Sequence, residues 1–357
     1  MRTTIKDIAS RLGISANSVS KALRGKSKIG EKTRGLILET AAAMNYIPNQ
    51  TARALVRKEL RIAAVYPEGP KEFFAYCTEG IRRAATELRD SKCRIVEYPY
   101  PSLETPGELR DTLAGLKRDK PDALVLTCSY QFDLYRADLE ALGRMGIPII
   151  YNTITGDETV PSFTGLVRIN NYVSGQMAAE YLGMLLKPKT GLKKIALFVG
   201  NKNMLVHEEC VSGFISNARK YGLELVDIFE THEDRKIVYK QTSSLLRLNP
   251  DLSGIYVTSY NSLGVCDWFD QHPRYRNVII LGQDLYPRLN KKLRAHTLTA
   301  TLFQNQFELS RKSVQFAFEY LTGMRKKEEC YKKYLPQLVL GCMVDNFPYY
   351  DRLDNGP

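Results

Sequence analysis

Six residues in a short amino-terminal stretch, Ala16, Asn17, Ser18, Ser20, Lys21 and Arg24, fall on the outward side of a helical repeat, and each is small, hydrogen-bonding or cationic. No acid interrupts them. A carboxamide such as that of Asn17 donates and accepts together, as reading a base edge in a major groove requires, and Lys21 reaches a guanine or a phosphate. Ser15, Ser18, Ser20 and Thr33 are short donors matched to phosphate oxygens, contacts that set register and carry little sequence information. Taken singly, these residues suit an ordinary solvated helix face. The missing acids over the whole face favour a polyanion.

Charge is distributed in the same sense. Residues 1–61 hold 13 Lys and Arg against 4 Asp and Glu, a balance of +9, whereas the rest of the 357 residues holds 38 against 35. A local cationic excess beside a nearly neutral bulk points to a nucleic-acid-binding module joined to a part with another task.

The elements that must position this face are legible. Thr4-Ile5-Lys6-Asp7 has the hydroxyl and the carboxylate, three residues apart, that cap a helix start reciprocally, so a helix is expected from about Ile5. Ile5, Ile8, Ala9 and Leu12 share one face; Gly13 supplies a turn; Ser15 is an N-cap; Val19, Ala22 and Leu23 form the next apolar stripe. A third helix is expected from about Glu31 to Met44, burying Ile37, Ala41 and Met44. Two short helices on a tight turn, closed by a third, are a helix-turn-helix unit.

Several classes are disfavoured. No stretch approaches a membrane span, and the first residues lack an apolar core and a small-residue cleavage site, so no export is expected and the cytoplasm is the default. Seven scattered cysteines, never spaced CxxC, argue against a disulfide framework or a structural zinc site. There is no phosphate-cradling G-x-x-x-x-G-K-[ST], no G-x-S-x-G and no G-x-G-x-x-G after a first strand, so no enzyme and no cofactor is expected.

The pieces TIKDIA, GIS, VSKAL, KTR, NYIPN and ARAL follow one another in order over residues 3–58. This segment resembles the DNA-binding headpiece of the lactose/galactose repressor family. The resemblance implies that the stretch after Tyr46-Ile47-Pro48-Asn49 becomes a helix when two copies meet on an operator, with Asn49 as its N-cap, Ala52 in the seam between copies, Arg53 facing the groove and Leu55 wedged into a central minor-groove step. An apolar wedge unstacks a base step at a cost of a few kcal/mol, offset by the contacts a bent duplex permits. The alternative for Leu55 is a core position in an intramolecular helix. With Thr4 at the start of the first helix, these residues complete the candidate DNA-facing set.

Beyond Arg61, apolar runs at 61–66, 93–98, 123–127, 148–152, 194–199, 224–229, 254–259 and 277–282 alternate with amphipathic stretches, the pattern of parallel sheets covered by helices. The length exceeds one doubly wound sheet, so two lobes with a cleft at the strands' carboxyl ends are expected. The overall expectation is an α/β chain in three parts: an all-α headpiece (1–48), a hinge helix or linker (49–59), and a two-lobed effector-binding and dimerisation domain (60–357). The last part is similar, over about residues 60 to 345, to the periplasmic-binding-protein-like effector domain of the same family, carried by EFFAYCTEGI (72–81), RINNYVSGQMAAEYL (168–182), VIILGQDLYP (278–287) and the stretch 299–323.

That similarity implies a sugar or sugar-derived effector. Asp284, just past a strand candidate, is placed to accept from two neighbouring hydroxyls, and Phe73 or Phe74 to stack on a sugar's apolar face unless either belongs to the core. Asn261 is a candidate in the second lobe, with a helix cap as the alternative; Asn152 and Gln304 are weaker candidates. Two departures bear on the ligand: the family commonly has arginine where Cys210 stands and aspartate where Asn170 stands, so a pair of charge-assisted contacts is lost. His207 and Glu208 are candidates to compensate. His207 and Cys210 stand at i and i+3, as metal ligands can, but His232, His272 and His296 offer no matching cluster, so no metal is expected.

The leading expectation is a sequence-specific transcriptional regulator, a repressor in particular, acting as a homodimer on a pseudo-palindromic double-stranded DNA operator under a small-molecule effector. The alternatives are a cytoplasmic sugar-binding or sugar-modifying protein with an incidental basic N-terminus, and an architectural DNA binder without ligand control.

Overall fold

The computed structural model describes residues 3–23, 29–44, 58–127, 131–153, 159–160, 162–187 and 191–351. The chain divides into two compact units, Met1–Glu59 with Arg89–Lys92, and Leu60–Leu88 with Cys93–Pro357.

In the first unit α1 (Ile5–Leu12) opens on the expected reciprocal cap: the Thr4 hydroxyl accepts from the Asp7 amide at 3.3 Å while an Asp7 carboxylate oxygen accepts from the Thr4 amide at 2.7 Å. Gly13 ends it at φ 64°, left-handed backbone open to a residue without Cβ. α2 (Ala16–Leu23) and α3 (Glu31–Ala43) follow, and Ile8, Ala9, Val19, Ala22, Ile37 and Ala41 close a small core among the three helices. Met44 lies just past α3 and is partly buried against that core.

The second unit holds two six-stranded sheets. The first lobe contains β1 (Leu60–Gly69), β2 (Cys93–Ser102), β3 (Ala123–Leu126), β4 (Ile149–Thr153), β5 (Phe163–Ile169) and the late strand β11 (Tyr331–Tyr334), in the order β11-β5-β4-β3-β1-β2, all parallel. The second contains β6 (Lys193–Val199), β7 (Leu223–Glu230), β8 (Gly254–Val257), β9 (Ile279–Gln283), β10 (Ala300–Phe303) and β12 (Gln337–Val339), ordered β12-β10-β9-β8-β6-β7, with only β12 antiparallel. Each apolar run seen in the sequence is a strand. β5, β10, β11 and β12 had no such run: β11 is YKKY on an exposed edge, and the other three are short or carry polar residues.

Helices cover both sheets, as parallel strands require. After β1 comes α4 (Lys71–Leu88); α5 (Pro106–Asp119) and α6 (Arg136–Arg144) complete the early covering of the first lobe. The chain crosses to the second lobe between β5 and α7 (Asn171–Leu186), returns between β10 and α12 (Gln306–Leu321), which packs on α4, and crosses again between β11 and β12. In between, the second lobe is covered by α8 (Leu205–Ala218), α9 (Arg235–Leu248), α10 (Ser262–Gln271) and α11 (Pro287–Arg294).

One close helix approach shapes the second lobe, and one cluster near the end of the described chain ties the two lobes together. α7 and α8 approach so closely that a Cβ at Gly175 would lie 1.9 Å from the Cys210 carbonyl oxygen and one at Gly213 1.9 Å from that of Tyr172, so only glycine fits at either place. At the other end of the chain Tyr350, 3% exposed, stacks on Tyr76 of α4 at 4.2 Å, takes the Phe307 amide on its hydroxyl at 3.1 Å, and offers its carbonyl to Asn290 of α11 at 2.9 Å.

Candidate functional site

On α2 the burial of Val19 and Ala22 turns the opposite face outward, leaving Ser15, Ala16, Asn17 and Lys21 exposed and Ser18 and Ser20 half-buried. The Ser15 hydroxyl accepts from the Ser18 amide at 3.0 Å, which caps the helix, and the two hydroxyls lie 2.8 Å apart. Thr33 is exposed on α3; Thr4 is exposed too, but its hydroxyl is committed to Asp7 at 2.7 Å. Arg24, Asn49, Arg53 and Leu55 lie outside the described residues.

The second site is a cavity of about 350 Å³ between the lobes, at the carboxyl ends of both sheets, within the usual range for a small-molecule site. Of the sequence candidates, Phe73, Phe74, His207, Asp284 and Gln304 line it. Four others do not. Asn152 is 1% exposed and spends its carboxamide on Thr127, Ser310 and Ser313, so it is a structural link under α12. Asn170 caps α7 through a 3.3 Å bond from the Val173 amide, and its neighbour Asn171 faces the cavity instead. Asn261 sits at the start of α10, 4% exposed, while Thr258, Ser259 and Tyr260 just before it reach the wall. Cys210 is 1% exposed, and burial pushes its thiol up to about 12, which leaves a packed neutral thiol. Glu208 is not among the lining residues.

The sequence candidates omitted Thr153, His232 and Glu233, which line the cavity in left-handed backbone (φ 60°, 46° and 56°), as does Asp284 (φ 70°). Non-glycine residues in that region carry strain and gather where a loop must aim a side chain. Extending each strand candidate by up to four residues would have found them.

Asp284 is 1% exposed; one carboxylate oxygen accepts from Gln304 at 3.4 Å and the other has no partner. Burial, with the nearby Glu233 adding to it, pushes this carboxyl up to about 8. Glu233 keeps 26% of its side chain accessible, yet protein surrounds it closely enough that burial pushes it to about 8 as well, and its Oε2 is unpartnered. His207 lies against it, Nε2 to Oε1 3.8 Å, and burial depresses the imidazole to about 4. Its Nδ1 is 2.8 Å from the Thr258 hydroxyl, which donates onward to the Phe198 carbonyl. Nδ1 is therefore assigned the proton, and the bare Nε2 faces Glu233.

These shifts predict a pH profile. Raised carboxyls bind protons in the folded chain that the unfolded chain has released, so their contribution falls as pH rises through about 8; depressed His207 acts oppositely, but only below 6.5. The unliganded chain should lose thermal stability between pH 6.5 and about 8, and Asp284→Asn should flatten the slope. Melting temperatures that hold steady or rise over that window would contradict the assignment.

Apart from Glu104, the described residues around this group bring no further carboxylate. Asn171, Thr153, Thr258 and Gln304 bring hydrogen-bonding groups; Phe73 and Phe74, edge to face at 4.9 Å, bring an apolar surface with Leu103, Met204 and Val206. A compact ligand with both hydroxyls and an apolar face fits such a lining. Among the described residues no cluster of His, Cys, Asp and Glu is suited to a metal ion, and no helix is long and apolar enough to cross a membrane.

Comparison with known proteins agrees with both halves. Residues 4–49 match the family described as bacterial regulatory proteins, lacI family, and residues 62–325 match the periplasmic binding protein domain. The chain is 26% identical to the HTH-type transcriptional regulator MalR of Streptococcus pneumoniae, over 95% of this chain and 99% of that protein. It is 22% identical to the HTH-type transcriptional repressor PurR of Mannheimia succiniciproducens, over 94% and 97% respectively. Its fold is similar to that of GanP, a glucose-galactose binding protein from Geobacillus stearothermophilus, with a TM-score of 0.68 at 21% identity over 80% of this chain and 99% of that one. With a helix-turn-helix domain at its start and a two-lobed binding domain behind it, the chain belongs to the lacI family of bacterial regulatory proteins.

Proposed function

We propose that the chain is a ligand-controlled transcriptional repressor: as a homodimer it grips a pseudo-palindromic operator through paired α2 faces, and a small carbohydrate-class molecule in the inter-lobe cavity alters that grip. The observation that carries this reading is the pairing, in one chain, of an exposed acid-free recognition face with a ligand-sized cavity whose most buried polar group, Asp284, keeps one carboxylate oxygen without a partner. Relatives named as a regulator and a repressor support the DNA role, and the sugar-binding fold relative supports the ligand class. A coupling of about 1–3 kcal/mol between the two sites changes operator occupancy several-fold or more.

Operator selection from random duplexes followed by a salt series tests it. Affinity should fall steeply with salt and retain sequence preference; Lys21→Ala should weaken binding and lower the salt slope by about one if Lys21 meets a phosphate. Asn17→Ala should relax the choice at one base pair of each half-site, at a cost of about 1–3 kcal/mol. Steep salt dependence with no sequence preference would instead identify an architectural binder.

A further inference from the structure

The charges in the cavity wall are one-sided. Glu104, Glu233 and Asp284 line it, and among the described residues no lysine or arginine does. The cations nearby are not offered to it: Arg168 is held in a two-pronged pair by Glu209, and Arg235, whose charge acts on the phenols of Tyr260 and Tyr286, is absent from the wall. His207 is neutral with its proton directed at Thr258, and His232 at the rim faces Glu230 at 3.9 Å. The other titratable groups acting on Asp284 and Glu233 or standing close by, Tyr256, Tyr286, Tyr350, Cys77 and Cys210, are all raised by burial and hold their protons.

A buried carboxylate is stable only when paired or protonated. Asp284 Oδ1 and Glu233 Oε2 have no hydrogen-bond partner among the described residues, a deficit that a ligand filling the cavity can make good. An anionic ligand would meet no countercharge. A neutral polyol would satisfy hydroxyl-binding groups but bring no countercharge to the two carboxyls. A ligand with a protonated nitrogen supplies that charge and up to three donors, and the wall also holds the aromatic rings of Phe73, Phe74 and Tyr260, whose faces favour a cation.

Resting on the reading of this cavity as the effector site, we propose that the effector is an aminated carbohydrate, a compact hydroxylated ring carrying one free ammonium group, bound with that ammonium between Asp284 and Glu233. Its hydroxyls engage Thr153, Asn171, Thr258 and Gln304, and the apolar side of the ring lies on Phe73 or Phe74. Because the empty site holds its carboxyls protonated near neutral pH, seating the ammonium expels a proton to solvent.

Titration calorimetry of the full-length chain at pH 7 tests this with glucosamine and galactosamine against glucose, galactose, N-acetylglucosamine and glucose 6-phosphate. At least one free amine should bind at least about tenfold tighter than its neutral and acetylated counterparts. Its apparent heat should differ between two buffers of different ionisation enthalpy in the sense of proton release, a readout that needs no variant. Asp284→Asn and Glu233→Gln, checked for an unchanged circular dichroism spectrum, should each erase the preference for the amine. Tighter binding of a neutral hexose, the N-acetyl compound or the phosphate ester, or amine binding without proton release, overturns the ammonium assignment and leaves the effector-cavity reading standing. Absence of binding by all six compounds overturns both.

Discussion

Glu209→Ala is expected to destabilise the chain by about 3–5 kcal/mol, because it strands a buried charge. Arg168 lies at the end of β5, 2% exposed, one residue before the first crossover, and its two terminal nitrogens meet the Glu209 carboxylate of α8 at 2.5 and 2.7 Å. Its Nε has no partner. With Glu209 gone, the guanidinium keeps one bond, to the Ile169 carbonyl at 3.3 Å, and cannot reach water. Glu209 is 20% exposed, so Arg168→Met alone should cost less, since the freed carboxylate can solvate. The double change Arg168→Met with Glu209→Leu should recover most of the loss, because an apolar pair has no charge to strand. Denaturant unfolding at pH 7 reads all three, and a loss below about 1 kcal/mol for Glu209→Ala would show that the pair carries little. As the pair ties the first sheet to a helix of the second lobe, the same variants should also shift ligand affinity at the cavity.

Ile37→Ala is expected to abolish specific DNA binding without touching the α2 face. Ile37 is fully buried in a core that holds six buried side chains among the described residues, and removing such a group costs about 2–5 kcal/mol. A unit of this size buries too little surface to absorb that loss, so the helix-turn-helix should be largely unfolded at 37 °C. The cores of the two lobes share no residue with it, so ligand-dependent stabilisation of the second unit should persist. Retained operator affinity in Ile37→Ala would mean that DNA is bound by some other part of the chain.

Much of the fold was readable in one dimension because its signals are local. A hydroxyl and a carboxylate three residues apart cap α1 whatever lies elsewhere, and a run such as IALFV can only be a buried strand between helices. The missed strands fail for the same reason: YKKY pairs with β5 because the chain returns there after α12, a consequence of topology that leaves no apolar run. Asp284 is legible because it sits just past a strand candidate, and Phe73, Phe74, His207 and Gln304, which line the cavity with it, likewise lie just past a strand or near a helix start, where a parallel sheet opens its cleft.

Asn152, Asn170, Asn261 and Cys210 show the limit of that method. A residue's place in the chain says which loop it belongs to, but a single step along the backbone turns the side chain from cavity to cap, as Asn170 and Asn171 do. The sequence by itself determined the two-part organisation, the helix-turn-helix with its acid-free face, and the cleft at the strand ends, since these follow from periodicity, capping and charge. Only the tertiary structure decided that Glu233 joins Asp284 in one cavity wall from a distant loop, that Arg168 is consumed by Glu209, and that the described residues of that wall include no lysine or arginine. Those outcomes depend on which side chains three crossovers bring within a few ångströms of each other, and chain order does not encode that distance.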